Sequence, residues 1–124
     1  MQKEPAYVLK AILPEYVVNE IAYFAKVNDY SCFHAARDGD LLYLIWAHEH
    51  GCHWDSHTCW IAARNGHLEC LKYAHEHGCP WDVDTCWIAA KKGRLECLKY
   101  AHEHGCPWDK RTFYEVNMMP EIHK

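Results

Sequence analysis

The sequence contains no apolar run long enough to span a membrane. A span needs about 20 consecutive apolar residues, and charged or polar side chains break every stretch well before that. The opening, MQKEPAYVLK, has no long apolar core of the kind a secretory signal requires. An intracellular, cytoplasmic protein is therefore expected. A strong charge imbalance is also missing. Thirteen Lys and Arg stand against 17 Asp and Glu, a net charge of -4 with histidine neutral, which does not suggest a nucleic-acid binder. The chain has no Gly-rich phosphate loop, no G-x-S-x-G and no H-E-x-x-H, since its His-Glu-His triplets have the wrong spacing. It has no C-x-x-C pair either, which removes the commonest zinc-ligand spacing.

What is present is cysteine, histidine and tryptophan: eight, eleven and six residues in a chain of 124. Half the residues are hydrophobic and 24% are charged, so the chain should fold as one domain. The histidines make its charge pH-sensitive, because protonating all of them would carry it to +7.

The chain repeats itself, and such repeats decide the fold before any local propensity does. Residues 59–85 and 86–112 align without a gap at a period of 27 and are identical at 22 of 27 positions. Their shared frame reads C-W-I-A-A-x-x-G-x-L-E-C-L-K-Y-A-H-E-H-G-C-P-W-D-x-x-T. A looser copy starts at Cys32, and a fourth begins at Thr112-Phe113 and fails by Pro120.

Each unit reads as two short helices. Ser31, Thr58, Thr85 and Thr112 stand where a cap for the first helix is expected. That helix runs through the Ala-Ala pair and stops at Gly39, Gly66 or Gly93. The second starts near Leu41, Leu68 or Leu95 and ends at Gly51, Gly78 or Gly105. Leu68, Leu71 and Tyr73-Ala74 give it one apolar face. Lys72 lies on the polar side, within reach of Glu69 and Glu76. One such hairpin cannot bury its apolar face alone, so the units should stack, with the Pro-Trp-Asp loop placing an indole between layers. Residues 1–28 read as an N-terminal cap, with a helix from Pro14 to Phe24. Residues 29–124 read as about three units with a truncated C-terminal cap. The fold class is all-α.

The run Ala62-Ala63-Arg64-Asn65-Gly66-His67-Leu68-Glu69, continued through Cys70-Leu71-Lys72 to Gly78-Cys79, resembles the centre of an ankyrin repeat. The unit is shorter than the usual 33 residues of that family. Most of the missing length falls between Asp82 and Thr85, where the family places its β-hairpin finger. This short Cys-Pro-Trp-Asp variant resembles arrays of large DNA viruses of amoebae and of protists. The resemblance implies a helical-hairpin solenoid and a non-enzymatic protein–protein interaction module, in a viral setting one acting on host proteins in the host cytoplasm. Leu13-Pro14-Glu15 with Val18 and Ile21 also resembles the opening of an F-box, which implies a ubiquitin-ligase adaptor. The span before Cys32 is shorter than an F-box.

The cysteines admit two readings. Zinc or a redox role, with disulfides such as Cys52–Cys59 and Cys79–Cys86, is one. The other is packing, since free cysteine is a small hydrophobe that is commonly buried. Packing is favoured: Cys106 would need its partner at Phe113, and Tyr43 stands where Cys70 and Cys97 stand in later units. His75 and His77, two apart on a helix, point about 200° away from each other and cannot chelate one ion. Same-position histidines of adjacent units should lie about 10 Å apart, so no metal and no cofactor is expected. Every Cys/His pair recurs in equivalent settings, whereas a nucleophile needs one special environment, so no catalytic residue is expected.

Units 59–85 and 86–112 differ only at Arg64/Lys91, Asn65/Lys92, His67/Arg94, Val83/Lys110 and Asp84/Arg111, and all five later residues are basic. An acidic protein partner is the expectation, met by the face of the first helices through Trp60, Arg64, Trp87, Lys91, Lys92 and Arg94. In the first unit Leu42 and Ile45 replace Glu69 and Lys72, and Trp46 replaces Tyr73. These three should be covered by the N-terminal segment (Tyr7, Val8, Leu9, Ile12 and Leu13) or by a second copy in a homodimer.

Overall fold

In the computed structural model, residues 14–28 and 30–118 are described, and over them the chain is all-helical, without a strand. Eight α-helices follow one another: α1 (Glu15–Asn28), α2 (Cys32–Asp38), α3 (Leu41–Glu49), α4 (Ser56–Arg64), α5 (Leu68–Glu76), α6 (Val83–Lys91), α7 (Leu95–Glu103) and α8 (Lys110–Asn117). No helix among the described residues is long and apolar enough to cross a membrane.

After α1 the helices pair as hairpins, α2 with α3, α4 with α5 and α6 with α7. The first helices also touch in series, α2 to α4 to α6 to α8, and the second helices likewise, α3 to α5 to α7. The core lies between these two rows. The paired alanines Ala35-Ala36, Ala62-Ala63 and Ala89-Ala90 are buried there, as are Leu44, Leu71 and Leu98. Excluding one such leucine from water contributes about 2–3 kcal/mol, and each of the three units repeats it.

Start signals differ from the sequence expectation in one respect. Ser31 caps α2, its hydroxyl accepting from the His34 backbone N–H while His34 reaches back to the Ser31 N–H. The threonines do not play this part. Asp55, Asp82 and Asp109 are the caps of α4, α6 and α8, each carboxylate accepting a backbone N–H from the first turn. An Asp in extended backbone three residues earlier is a sufficient cap, so the helices begin one turn sooner. Thr58, Thr85 and Thr112 are thereby drawn inside as buried residues.

The glycines that end the helices fall where expected. Gly39 and Gly66 take φ of 75°, and the following hairpin uses the space their missing side chains leave. A Cβ on Gly39 would come within 2.7 Å of the His67 ring.

Helix α1 runs to Asn28, beyond the expected end at Phe24. Ile21 and Ala25 pack on the core. Tyr30 anchors the junction: its ring lies edge-on to Phe24 and to Tyr43, its phenol donates to Asp38, and the Tyr43 phenol donates to its carbonyl.

The three apolar residues expected to need cover on the first unit differ in exposure. Ile45 is only 2% exposed and belongs to the core, whereas its counterpart Lys72 is half-buried. Trp46 is half-buried and stacks on His50 at 4.3 Å. Leu42 alone remains outside, 48% exposed. The segment expected to cover them (Tyr7, Val8, Leu9, Ile12, Leu13) lies outside the described residues. Lys72 forms no ion pair with Glu69 or Glu76 among the described residues; its ammonium lies 5.8 Å from the Tyr100 ring of the next hairpin.

Candidate functional site

The row of first helices carries the residues on which an interaction surface can be built. In α4 and α6 the fourth and seventh residues after the Asp cap, Cys59 with Ala62 and Cys86 with Ala89, are fully buried, whereas in α8 the fourth, Phe113, is 57% exposed. The fifth is aromatic and is not fully buried. Phe33, Trp60 and Trp87 are half-buried and Tyr114 is 67% exposed, at intervals of 27 residues along the chain. Four residues further on, within the last turn or at its end, stand Arg37, Arg64 and Lys91. The first helices touch in series, so this surface has an acidic edge at the caps, an aromatic middle and a basic edge at the C-termini.

Trp60 and Trp87 line one groove of about 360 Å³ together with Ser56, His57, Asp82, Asp84 and Arg111. Arg111 is built into it. Its guanidinium lies 4.6 Å from the Trp87 ring centroid and donates to Asp84 at 2.6 Å and to Asp109 at 2.8 Å. Its hydrogen bonds with Asp109 and then Asp84 raise its pKa, and the same guanidinium lowers that of Asp109. Lys91 reaches the Trp87 ring from 5.8 Å.

The other expected contact residues are divided. Arg64 is half-buried, with its guanidinium 3.4 Å from the Asn65 side-chain oxygen. Lys92 is exposed and ends α6. Arg94 lies at the start of α7, packs over Gly66 and donates to the Arg64 carbonyl at 3.0 Å. It lines a different surface, with Gly66, Gly93 and Glu96. His67 makes the equivalent contact one unit earlier, 3.1 Å from the Arg37 carbonyl. Arg94 thus joins successive hairpins and does not face the groove.

Comparison with family models, curated proteins and solved structures finds no match for the chain.

The cysteines come together in pairs that spacing did not suggest. Residues 20 apart meet: the Cys32 N–H donates to the Cys52 sulfur at 3.3 Å, and the Cys59 and Cys86 thiols point to the carbonyls of Cys79 and Cys106. The Cys79 and Cys106 thiols donate at 3.3 Å to the carbonyls of the cap residues Asp55 and Asp82. These sulfurs close each hairpin at the base of its first helix. All eight cysteines are free thiols, and all but Cys52 are buried. Burial pushes the Cys70 thiol up to about 12 and the Cys97 thiol up to about 11, which opposes thiolate chemistry. Among the described residues no group of three or more His, Cys, Asp or Glu is placed to hold a metal ion.

The histidines are closer than the same-position estimate allowed, because an offset pair forms between units. His48 faces His77 with ring centroids 5.6 Å apart, and His75 faces His104 at 5.8 Å. Each first member stacks on its own loop indole, His48 on Trp54 at 4.0 Å and His75 on Trp81 at 3.8 Å. Each second member stacks on a tyrosine, His77 on Tyr73 and His104 on Tyr100. The second members lie 2.8 Å by Nδ1 from the carbonyls of those tyrosines. A carbonyl only accepts, so Nδ1 carries the proton. Burial, followed by the opposing imidazole, lowers the pKa of His48 and His75.

Proposed function

We infer that the chain is a non-enzymatic protein-interaction module, an ankyrin-like helical-hairpin solenoid that holds a protein partner along its row of first helices. The observation that carries this reading is the aromatic series Phe33, Trp60, Trp87 and Tyr114. A repeat frame that hides Cys32, Cys59 and Cys86 completely leaves the very next residue, always a large ring, half-buried, with part of its surface available to a partner. Rings at regular intervals on a rigid scaffold offer contact area at low ordering cost, which is how aromatic anchors act at interfaces. The basic edge formed by Arg64, Lys91 and Lys92 favours a partner that brings carboxylates to that side.

The test is affinity capture from the native cell with purified protein as bait. Trp60→Ala and Trp87→Ala should each release the partner with the helical circular-dichroism signal kept and Tm lowered, since both rings pack on the core, and the pair Lys91→Glu with Lys92→Glu should release it with Tm near wild type. Lys99→Glu, on an exposed site of α7, should leave capture unchanged. A partner that survives all three changes on the first helices, or is lost equally with Lys99→Glu, refutes the reading.

A further inference from the structure

We propose that the groove beside Trp60 is a receptor for a guanidinium side chain, so that the partner inserts an arginine at the acidic edge of the first-helix row. The proposal rests on the reading of this row as the partner surface and adds the chemistry of one contact.

The repeat supplies its own template. At the Trp87 position the next unit contributes Arg111, whose guanidinium lies over the indole and is held by Asp84 and Asp109. One unit earlier, the position equivalent to Arg111 is Asp84, and the position equivalent to Asp84 is His57. Trp60 therefore shares its groove with the Asp84 carboxylate, where the Trp87 ring is covered by a cation. An indole face is electron-rich and attracts cations; the Trp60 groove keeps the ring and one anion of the template, Asp82 in the place of Asp109, has His57 in the place of Asp84, and gains Asp84 itself where the template has its guanidinium. Among the described residues no cation lies over the Trp60 ring.

Charge points the same way. The edge carries Asp55, Asp82, Asp84 and Asp109, and among the groove-lining residues Arg111 is the single guanidinium, shared between Asp84 and Asp109. Asp82 spends one oxygen on the Asp84 backbone N–H, which leaves the other for a ligand. Ser56 and His57 complete the wall. A planar fork with several donors fits two carboxylates and a ring better than an ammonium does.

The probe is N-acetyl-arginine methylamide, titrated into the full chain at neutral pH and low salt. The indole N–H signals are followed by NMR, with that of Trp60 assigned through Trp60→Phe. A saturable shift of the Trp60 signal is expected at millimolar probe, weakened by salt and absent with N-acetyl-glutamate methylamide. Asp82→Asn keeps the helix cap and removes one charge, and it should weaken the response about fivefold. Arg111→Gln should add a second response at the Trp87 indole, because it vacates the template. No saturable shift at Trp60, an equal shift with the glutamate probe, or no second response in Arg111→Gln overturns the proposal. These readouts involve no partner protein. Failure here with capture still lost in Trp60→Ala refutes the arginine contact alone, and success here with capture unchanged refutes the wider reading.

Discussion

Reagent attack on the eight thiols tests the packing of the units more directly than a melting curve. With Ellman's reagent at pH 8 the attacking species is the thiolate. A thiol raised from 9.0 to about 12, as at Cys70, has roughly a thousandfold less thiolate at that pH, and one raised to about 11, as at Cys97, roughly a hundredfold less. Burial adds to this: seven of the eight are inaccessible in the folded chain and can react only after the stack opens. If opening costs about 5 kcal/mol, the lower end of ordinary domain stability, reaction through the open state is slowed by roughly four orders of magnitude. Half-buried Cys52 should therefore react first and alone, with the other seven following slowly. Peptide mass mapping of a partly labelled sample identifies the fast site. In denaturant without reductant all eight should react at once. Several thiols reacting as fast as Cys52 in protein with native circular dichroism would refute the packing of cysteine between hairpins. Fewer than eight in denaturant would mean that some are held in disulfides or by a metal.

Three further outcomes follow from the geometry. Gly78→Ala pays only for its φ of 86°, with nothing within 4 Å, and should cost about 1–2 kcal/mol in urea denaturation; Gly39→Ala should cost more because its Cβ meets the His67 ring, and the excess should vanish in the double variant with His67→Ala. Asp82→Ala should cost about 1 kcal/mol as a lost cap, whereas Thr85→Val should be close to neutral, since the Thr85 hydroxyl is buried without a hydrogen-bond partner; the reverse order would restore the threonine as the cap. Stability should fall on acidification below about pH 6.5, the ordinary histidine value, because the folded pKa of His48 and His75 is lowered and the unfolded chain binds the proton more readily. The groups facing His48 are Trp54, Tyr73, His77 and Glu49, and those facing His75 are Trp81, Tyr100, His104 and Glu76. His48→Gln with His75→Gln should flatten the Tm profile between pH 7 and 5, and an unchanged profile would refute the assignment.

What sequence periodicity reveals and what it hides have one cause. A 27-residue repeat states which side chains are equivalent, so the helices, their glycine stops and the buried Ala-Ala pairs could all be read from it. It does not state which residue of one unit meets which residue of the next, because that depends on the offset between neighbouring hairpins. Comparing equivalent histidines put them a helix diameter apart, yet the pairs that form are 29 residues apart, His48 with His77 and His75 with His104. The same offset takes Arg94 away from the basic surface and onto the Arg64 carbonyl. It also sets Arg111, read as one more positive charge, against Asp84 and Trp87. The threonine caps failed for a local reason: Asp and Thr three residues apart both qualify, and the earlier one wins because it adds a turn to the helix. Ile45, where the repeat frame has Lys72, is buried in the core, while Leu42 beside it stays half exposed. Equivalence along the chain thus determines the fold, while the site depends on contacts between non-equivalent residues. Those contacts place a guanidinium at Trp87 and leave Asp82 and Asp84 to line the groove that Trp60 shares.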